Sequence, residues 1–193
     1  MVGLVYHKYY GYTKYGVINQ TVSNMFYDAS VGNNWNYASG FTNSNITVGT
    51  NVGINSSGHN FIGWFWAEVD GFSKAGSYVG NGSTDGPYVY TGFKPAFVLR
   101  TRGDTANTRW TINDNVRMPF NSDLANGGPS LFPDSNQVEQ STSSNDKIDF
   151  LSNGFKVRGS NTASNAGGGI YVYMAFAEHP FIGSGSKSPA TAR

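Results

Sequence analysis

The chain has 193 residues, enough for one large domain or two small ones sharing a core. Its 13 basic and 12 acidic side chains leave a net charge of +1, which excludes the electrostatic footprint of a protein that grips nucleic acid or an anionic membrane. With no cysteine it has no disulfide framework, thiolate metal site or cysteine nucleophile, and no apolar run approaches the roughly 18 residues of a spanning helix.

The first 20 residues are rich in Tyr and Lys rather than built like a signal peptide, so a soluble chain without a secretion address is expected. Leucine occurs only five times, while Val, Ile, Thr, Tyr, Phe and Trp are abundant and 25 glycines punctuate them. Strand formers separated by Gly, Asn and Ser turns predict an all-β fold with no convincing helix.

In chain order, the first expected strand is Gly3-Leu4-Val5-Tyr6-His7-Lys8. It runs into Tyr9-Tyr10-Gly11-Tyr12 with Tyr15, more ring area than a short loop comfortably leaves in water. Phe26-Tyr27-Asp28-Ala29-Ser30-Val31 follows, then a second aromatic and amide cluster, Asn33-Asn34-Trp35-Asn36-Tyr37, then Ser44-Asn45-Ile46-Thr47-Val48-Gly49. The next segment, Asn60-Phe61-Ile62-Gly63-Trp64-Phe65-Trp66-Ala67-Glu68, is apolar on both faces. Ile62, Trp64 and Trp66 would point one way and Phe61 and Phe65 the other, so a central strand covered on both sides is expected.

Near the end the pattern returns as Ile170-Tyr171-Val172-Tyr173-Met174-Ala175-Phe176-Ala177-Glu178, offset by 110 residues. Earlier pieces match as well. Residues 44–49 pair with 153–158, 26–31 with 112–117, and 3–8 with 96–101. From the 26–31/112–117 pair to the 44–49/153–158 pair the offset grows by 23 residues, and the gain falls in the Ser, Asn, Asp and Gly-rich stretch 121–147, expected to be a long surface loop. The hairpin formed by 76–80 and 87–90 has no counterpart in the first half. Residues 1–70 therefore read as a front-truncated β-sandwich copy, 71–183 as a complete copy and 184–193 as a C-terminal tail. An incomplete β unit leaves an open edge, to be covered by preceding residues of a longer protein or by a partner.

Familiar chemical motifs fail on spacing or context. Gly80-Asn81-Gly82-Ser83-Thr84-Asp85-Gly86 lies between strands and lacks the Lys of a phosphate loop, so it reads as a hairpin loop, and Asn153-Gly154 as a turn. His7, His59 and His179 are spread along the chain without metal-triad spacing, and no nucleophile elbow exposes a serine. Glu68 and Glu178 occupy equivalent places in the repeat, which argues for a scaffold role at strand ends rather than for an acid/base pair. Asp134, Glu139, Asp146 and Asp149 could supply oxygen ligands for calcium, but a solvated acidic loop is favoured and no metal or other cofactor is expected. The rings of Tyr9, Tyr10, Tyr12, Tyr15, Trp35 and Tyr37 are the candidate ligand-binding or interface residues. Packing against a neighbouring chain is favoured over stacking on sugar rings.

Residues Tyr78-Val79-Gly80-Asn81-Gly82-Ser83, then Gly92-Phe93-Lys94-Pro95-Ala96-Phe97-Val98-Leu99, Trp110 with Asp114 and Arg117, Asp149-Phe150-Leu151-Ser152-Asn153-Gly154-Phe155 and Ala175-Phe176-Ala177-Glu178 carry a resemblance. This set resembles the lectin-like (concanavalin A-like) jelly-roll repeat domains of phage tail-fibre and appendage proteins. It covers 76–193 well and 2–70 as the truncated copy. Val31-Gly32 stands where Arg117 does in the second copy, so an Asp/Arg pairing is expected only there. The resemblance implies a jelly-roll-like sandwich in a non-enzymatic structural protein of a tail fibre, spike or other virion surface appendage, with host attachment or glycan contact as its task. Other virion proteins, a homo-oligomer with a trimer favoured, and a host surface glycan are the implied partners. Neither nucleic acid nor membrane insertion is implied. A capsid-decorating protein without receptor binding is the alternative. A polysaccharide depolymerase ranks behind both, since no clustered acid and base is evident.

Overall fold

The computed structural model describes residues 4–11, 14–18, 26–28, 45–50, 52–105, 108–119, 121, 129–139 and 147–179. Among these residues, ten strands and two four-residue helices make up the regular structure, an all-β sandwich of antiparallel sheets. The strands are β1 (Leu4–Val5), β2 (Lys14–Val17), β3 (Phe26–Asp28), β4 (Ser73–Val79), β5 (Tyr88–Tyr90), β6 (Pro95–Arg102), β7 (Thr111–Asp114), β8 (Ile148–Leu151), β9 (Gly154–Val157) and β10 (Ile170–Ala177). The helices are α1 (Val52–Asn55) and α2 (Thr162–Asn165).

The central sheet has the order β4-β10-β6-β7, with β10 bonded along nearly its whole length to β4 on one side and β6 on the other. Alternation along β10 sends its side chains to two different cores. Tyr171, Tyr173 and Ala175 join Tyr78 and Val98 against the sheet β5-β9-β8, which contributes Val89, Ile148, Phe150, Phe155 and Val157. Ring packing fixes this core. Tyr78 stacks on Tyr171 with centroids 4.8 Å apart, and Phe155 meets Tyr173 edge-on at 5.3 Å.

On the opposite face, Val172 and Met174 lie with Leu99, Phe97, Trp110 and Ile112 beneath Val5, Tyr10 and Ile18 of the N-terminal segment. That segment forms a third sheet, β1-β2-β3. Two polar bonds tie it down. The Trp110 indole N–H donates to the Val17 carbonyl at 2.7 Å, and His7 Nε2 lies 3.1 Å from the Tyr173 carbonyl of β10. The two-sided apolar pattern of 170–178 thus corresponds to a strand covered on both faces, the second cover being the chain's own N-terminal residues.

Residues 60–68 depart from the expectation of a central strand. They are irregular, and their large side chains are exposed. The antiparallel bridge Val69↔Ser73 starts a hairpin toward β4 but does not propagate. The Ala75 amide, which would take the next rung, donates to Glu68 Oε1 at 3.1 Å, and the Ala67 carbonyl accepts from the Ser73 hydroxyl at 2.7 Å. A strand apolar on both faces gains its stability from neighbours at its edges and covers above and below, and with these groups diverted it obtains neither.

Stretch 121–147 is not all surface loop. Leu131 bridges Ile112 at the β7 edge, and Ser130, Phe132 and Asp134 are buried. This covers one edge of the central sheet, a recurring protection against unwanted pairing.

Candidate functional site

The tyrosine turn that follows β1 closes through Tyr10 N–H to the His7 carbonyl and Gly11 N–H to the Lys8 carbonyl. Tyr9 is half-exposed and meets Tyr10 edge-on at 5.0 Å. Tyr10 folds inward onto the core around Trp110, its ring so close to Gly103 that a Cβ there would collide with it. Burial and then the nearby Asp104 carboxylate push its hydroxyl up to about 12. Tyr15 lies in β2 opposite Tyr27. Tyr12, Trp35 and Tyr37 lie outside the described residues. Of the six candidate rings, the structure brings Tyr9 and Tyr10 together, and Tyr10 serves the chain's own core.

His7 is held in one tautomer beneath this turn. The Tyr9 amide donates to its Nδ1 at 3.2 Å, so the ring proton sits on Nε2 and is donated to the Tyr173 carbonyl. Burial lowers its pKa and keeps it neutral.

The acidic candidates are engaged with scaffold groups. Glu68 pairs with Lys8 at 2.5 Å and Lys74 at 3.9 Å, and Glu178 with Lys94 at 2.6 Å and the Asn115 amide at 2.9 Å. Burial would raise the Glu68 carboxyl, but hydrogen bonds from Lys8 and the Ala75 amide, with the charges of both lysines, outweigh it and hold the group below its ordinary value. Glu178 is lowered chiefly by its bond from Lys94. Asp149 pairs with Arg158 at 2.7 Å and Glu139 with Arg117 at 2.9 Å, while Asp134 accepts from the Trp110 amide at 3.2 Å. These acids do not converge, and no group of three metal-ligating side chains occurs among the described residues. Arg117 also pairs with Asp114, the Asp/Arg contact expected in the second half. Asp146 lies outside the described residues.

Beside Glu178 a shallow pocket of about 200 Å³ is lined by Lys94, Asn115, Met118, Asn121 and Phe150. Its polar side chains are committed. Asn121 donates to the Phe150 carbonyl at 2.7 Å and accepts its amide at 2.8 Å, and Lys94 and Asn115 hold Glu178.

The expected hairpin of 76–80 with 87–90 does not form: β4 pairs with β10 and β5 with β9, so the loop 80–86 crosses from the central sheet to the sheet β5-β9-β8, pinned by one fully buried side chain. Asn165 donates to Asn81 Oδ1 and to the carbonyls of Ser83 and Gly159, and accepts from the Asn81 amide at 2.8 Å. Gly82 supplies the positive φ of 70° that the turn requires. The β8–β9 hairpin turns at Ser152 and Asn153, one residue before the expected Asn153-Gly154 turn, with Gly154 already paired to Leu151 as the first residue of β9.

What remains on the surface is the apolar strap of residues 60–68. Ile62 is 78% exposed, Trp64 71%, Phe65 66%, Trp66 59% and Phe61 47%. Monomeric proteins rarely leave so much contiguous apolar area in water without using it. Sequence reasoning missed this as a surface because its pattern is that of a buried strand.

A family model described as Domain of unknown function (DUF7483) matches residues 4–180. The chain belongs to that family. No curated protein and no solved structure matches it.

Proposed function

We propose that, as a member of this family, the protein is a non-enzymatic structural subunit of a phage virion, built into a tail fibre, spike or other surface appendage. On this reading residues 71–183 are a complete jelly-roll-like copy and 1–70 a front-truncated one. The observation that carries it is the exposed strap. A subunit that presents Phe61, Ile62, Trp64, Phe65 and Trp66 to solvent is made to be covered by another surface, and symmetric appendages supply one. The resemblance of 76–193 to tail-fibre and appendage domains supports the setting. The commitment of Glu68 and Glu178 to lysines supports a binding or structural role over acid/base catalysis.

Host attachment follows as the task of such an appendage, with Tyr9 offering a half-exposed ring to a sugar face. Repetition of weak contacts around the appendage would multiply them into firm adsorption. Labelling the subunit on intact particles tests the reading. Label on a tail appendage is expected. Label on the head would favour a capsid-decorating role, and particles without label would refute a virion protein. Incubation with host envelope polysaccharide should release no oligosaccharide. Release that vanished in Glu178→Gln would overturn the non-enzymatic assignment.

A further inference from the structure

Among the described residues, the central sheet has one guarded edge and one open edge. At β7 the rung to Leu131 guards it. At β4 the direction of each backbone group follows from its neighbours. Gly80 bonds inward to Gly169 and Gly168, whereas Ser73 exchanges both bonds with Val69 on the outer side. By alternation, Ala75, Ser77 and Val79 also present their N–H and C=O outward. The Ala75 amide is taken by Glu68, and the outward groups of Ser77 and Val79 have no partner among the described residues. The edge strand is seven residues long, uncharged at Ser77 and Val79 and unbulged, so it lacks the usual defences against strand addition.

The same chain carries a strand without an edge. Residues 60–68 repeat the pattern of β10, which in this fold lies antiparallel to β4. Their own hairpin with β4 stops at Val69↔Ser73, because Glu68 and Ser73 divert the next rung. We propose that the strap of one protomer adds as a strand to the open β4 edge of a second copy of this chain, joining subunits by strand exchange. The proposal rests on the reading of the chain as an assembling subunit and names the contact that assembles it.

Area favours a second copy as the occupant. Four aromatic side chains of roughly 150–250 Å² each, about three-fifths exposed on average, offer about 360–600 Å². In a two-fold dimer each protomer gives one strap and receives one across a single interface, so it buries about twice that area there, reaching the ~800 Å² per partner of a standard interface. Backbone rungs to Ser77 and Val79 fix the register, and the alternating rings of the strap cover the two sheet faces beside the edge.

Two variants and their mixture test this. Ser77→Pro removes an outward donor while leaving the β4 bonds to β10 in place. Trp64→Asp with Phe65→Asp spoils the strap at positions where the protomer itself packs little. Light scattering across a concentration series should find the wild type oligomeric and each variant monomeric with an unchanged circular dichroism spectrum. An equimolar mixture should regain a dimer, since one variant keeps its strap and the other its edge. Tryptophan emission should shift to the blue with concentration in the wild type. A mixture that stays monomeric, or blue-shifted emission independent of concentration, would overturn strand exchange, the latter by placing the strap on its own edge. Wild type that assembles undisturbed by both substitutions would refute this contact and leave the assembling subunit standing. Wild type monomeric at every concentration would refute both.

Discussion

Changing Trp110 to Phe probes the joint between the N-terminal layer and the sandwich. Trp110 is 3% exposed, and its indole N–H is the donor that satisfies the buried Val17 carbonyl at 2.7 Å. Phenyl keeps a ring but loses three ring atoms, the donor nitrogen among them. At roughly 0.8 kcal/mol per buried methylene-sized group the lost contact costs about 2 kcal/mol. The orphaned carbonyl adds about 1–3 kcal/mol unless the layer shifts to admit water. Together these predict a loss of about 3–5 kcal/mol, read by urea unfolding at fixed protein concentration. Amide hydrogen exchange should speed up in β1 and β2 well before it does in β9 and β10, because the substitution cuts the layer's anchor and leaves the other core intact. A loss below about 0.5 kcal/mol, or one of the expected size with unchanged protection in β1 and β2, would refute the assignment of Trp110 as the anchor.

Further expectations concern the same layer and the pinned loop. Gly103→Val should destabilise by about 1–3 kcal/mol, since a side chain there collides with the Tyr10 ring; an unchanged urea midpoint would contradict this packing. Asn165→Ala should cost on the order of 3 kcal/mol and open residues 81–86 to limited proteolysis, as one buried amide serves Asn81, Ser83 and Gly159 together. Because burial depresses the His7 pKa below 6.5, the unfolded chain binds its proton first, so the His7 contribution is complete above pH 6.5 and is lost as pH falls through the lower folded value. Comparing urea midpoints from pH 8 to 5 with those of His7→Gln isolates it from Asp134, whose burial-raised carboxyl acts in the opposite sense. Parallel pH profiles would refute it.

Much of the architecture was legible because it is written in local patterns. Period-two apolar runs, Asn-Gly turns and scarce leucine determine an all-β fold. The apolar residues on both faces of 170–178 require a strand covered twice, as Tyr171 and Val172 are. Glu68 and Glu178 each pair with lysine, but Glu68 lies in irregular chain rather than at the strand end that its place in the repeat predicted. The candidate rings were less so, for ring area in a turn says only that some surface must be covered, not which. Tyr10 found its cover in Trp110 and Gly103, residues a hundred positions away or nearly so.

Segments 60–68 and 170–178 separate what pattern determines from what the fold decides. Both have the side chains of a buried central strand. Only β10 has β4 and β6 at its edges, the sheet β5-β9-β8 beneath it and the N-terminal layer above. In the other, a carboxylate and a hydroxyl intercept the rungs that would have made it a strand. Side-chain alternation is a property of the chain and can be read from it. Strand pairing is a competition among distant backbone groups for the same donors and acceptors, and its outcome exists only in the tertiary structure.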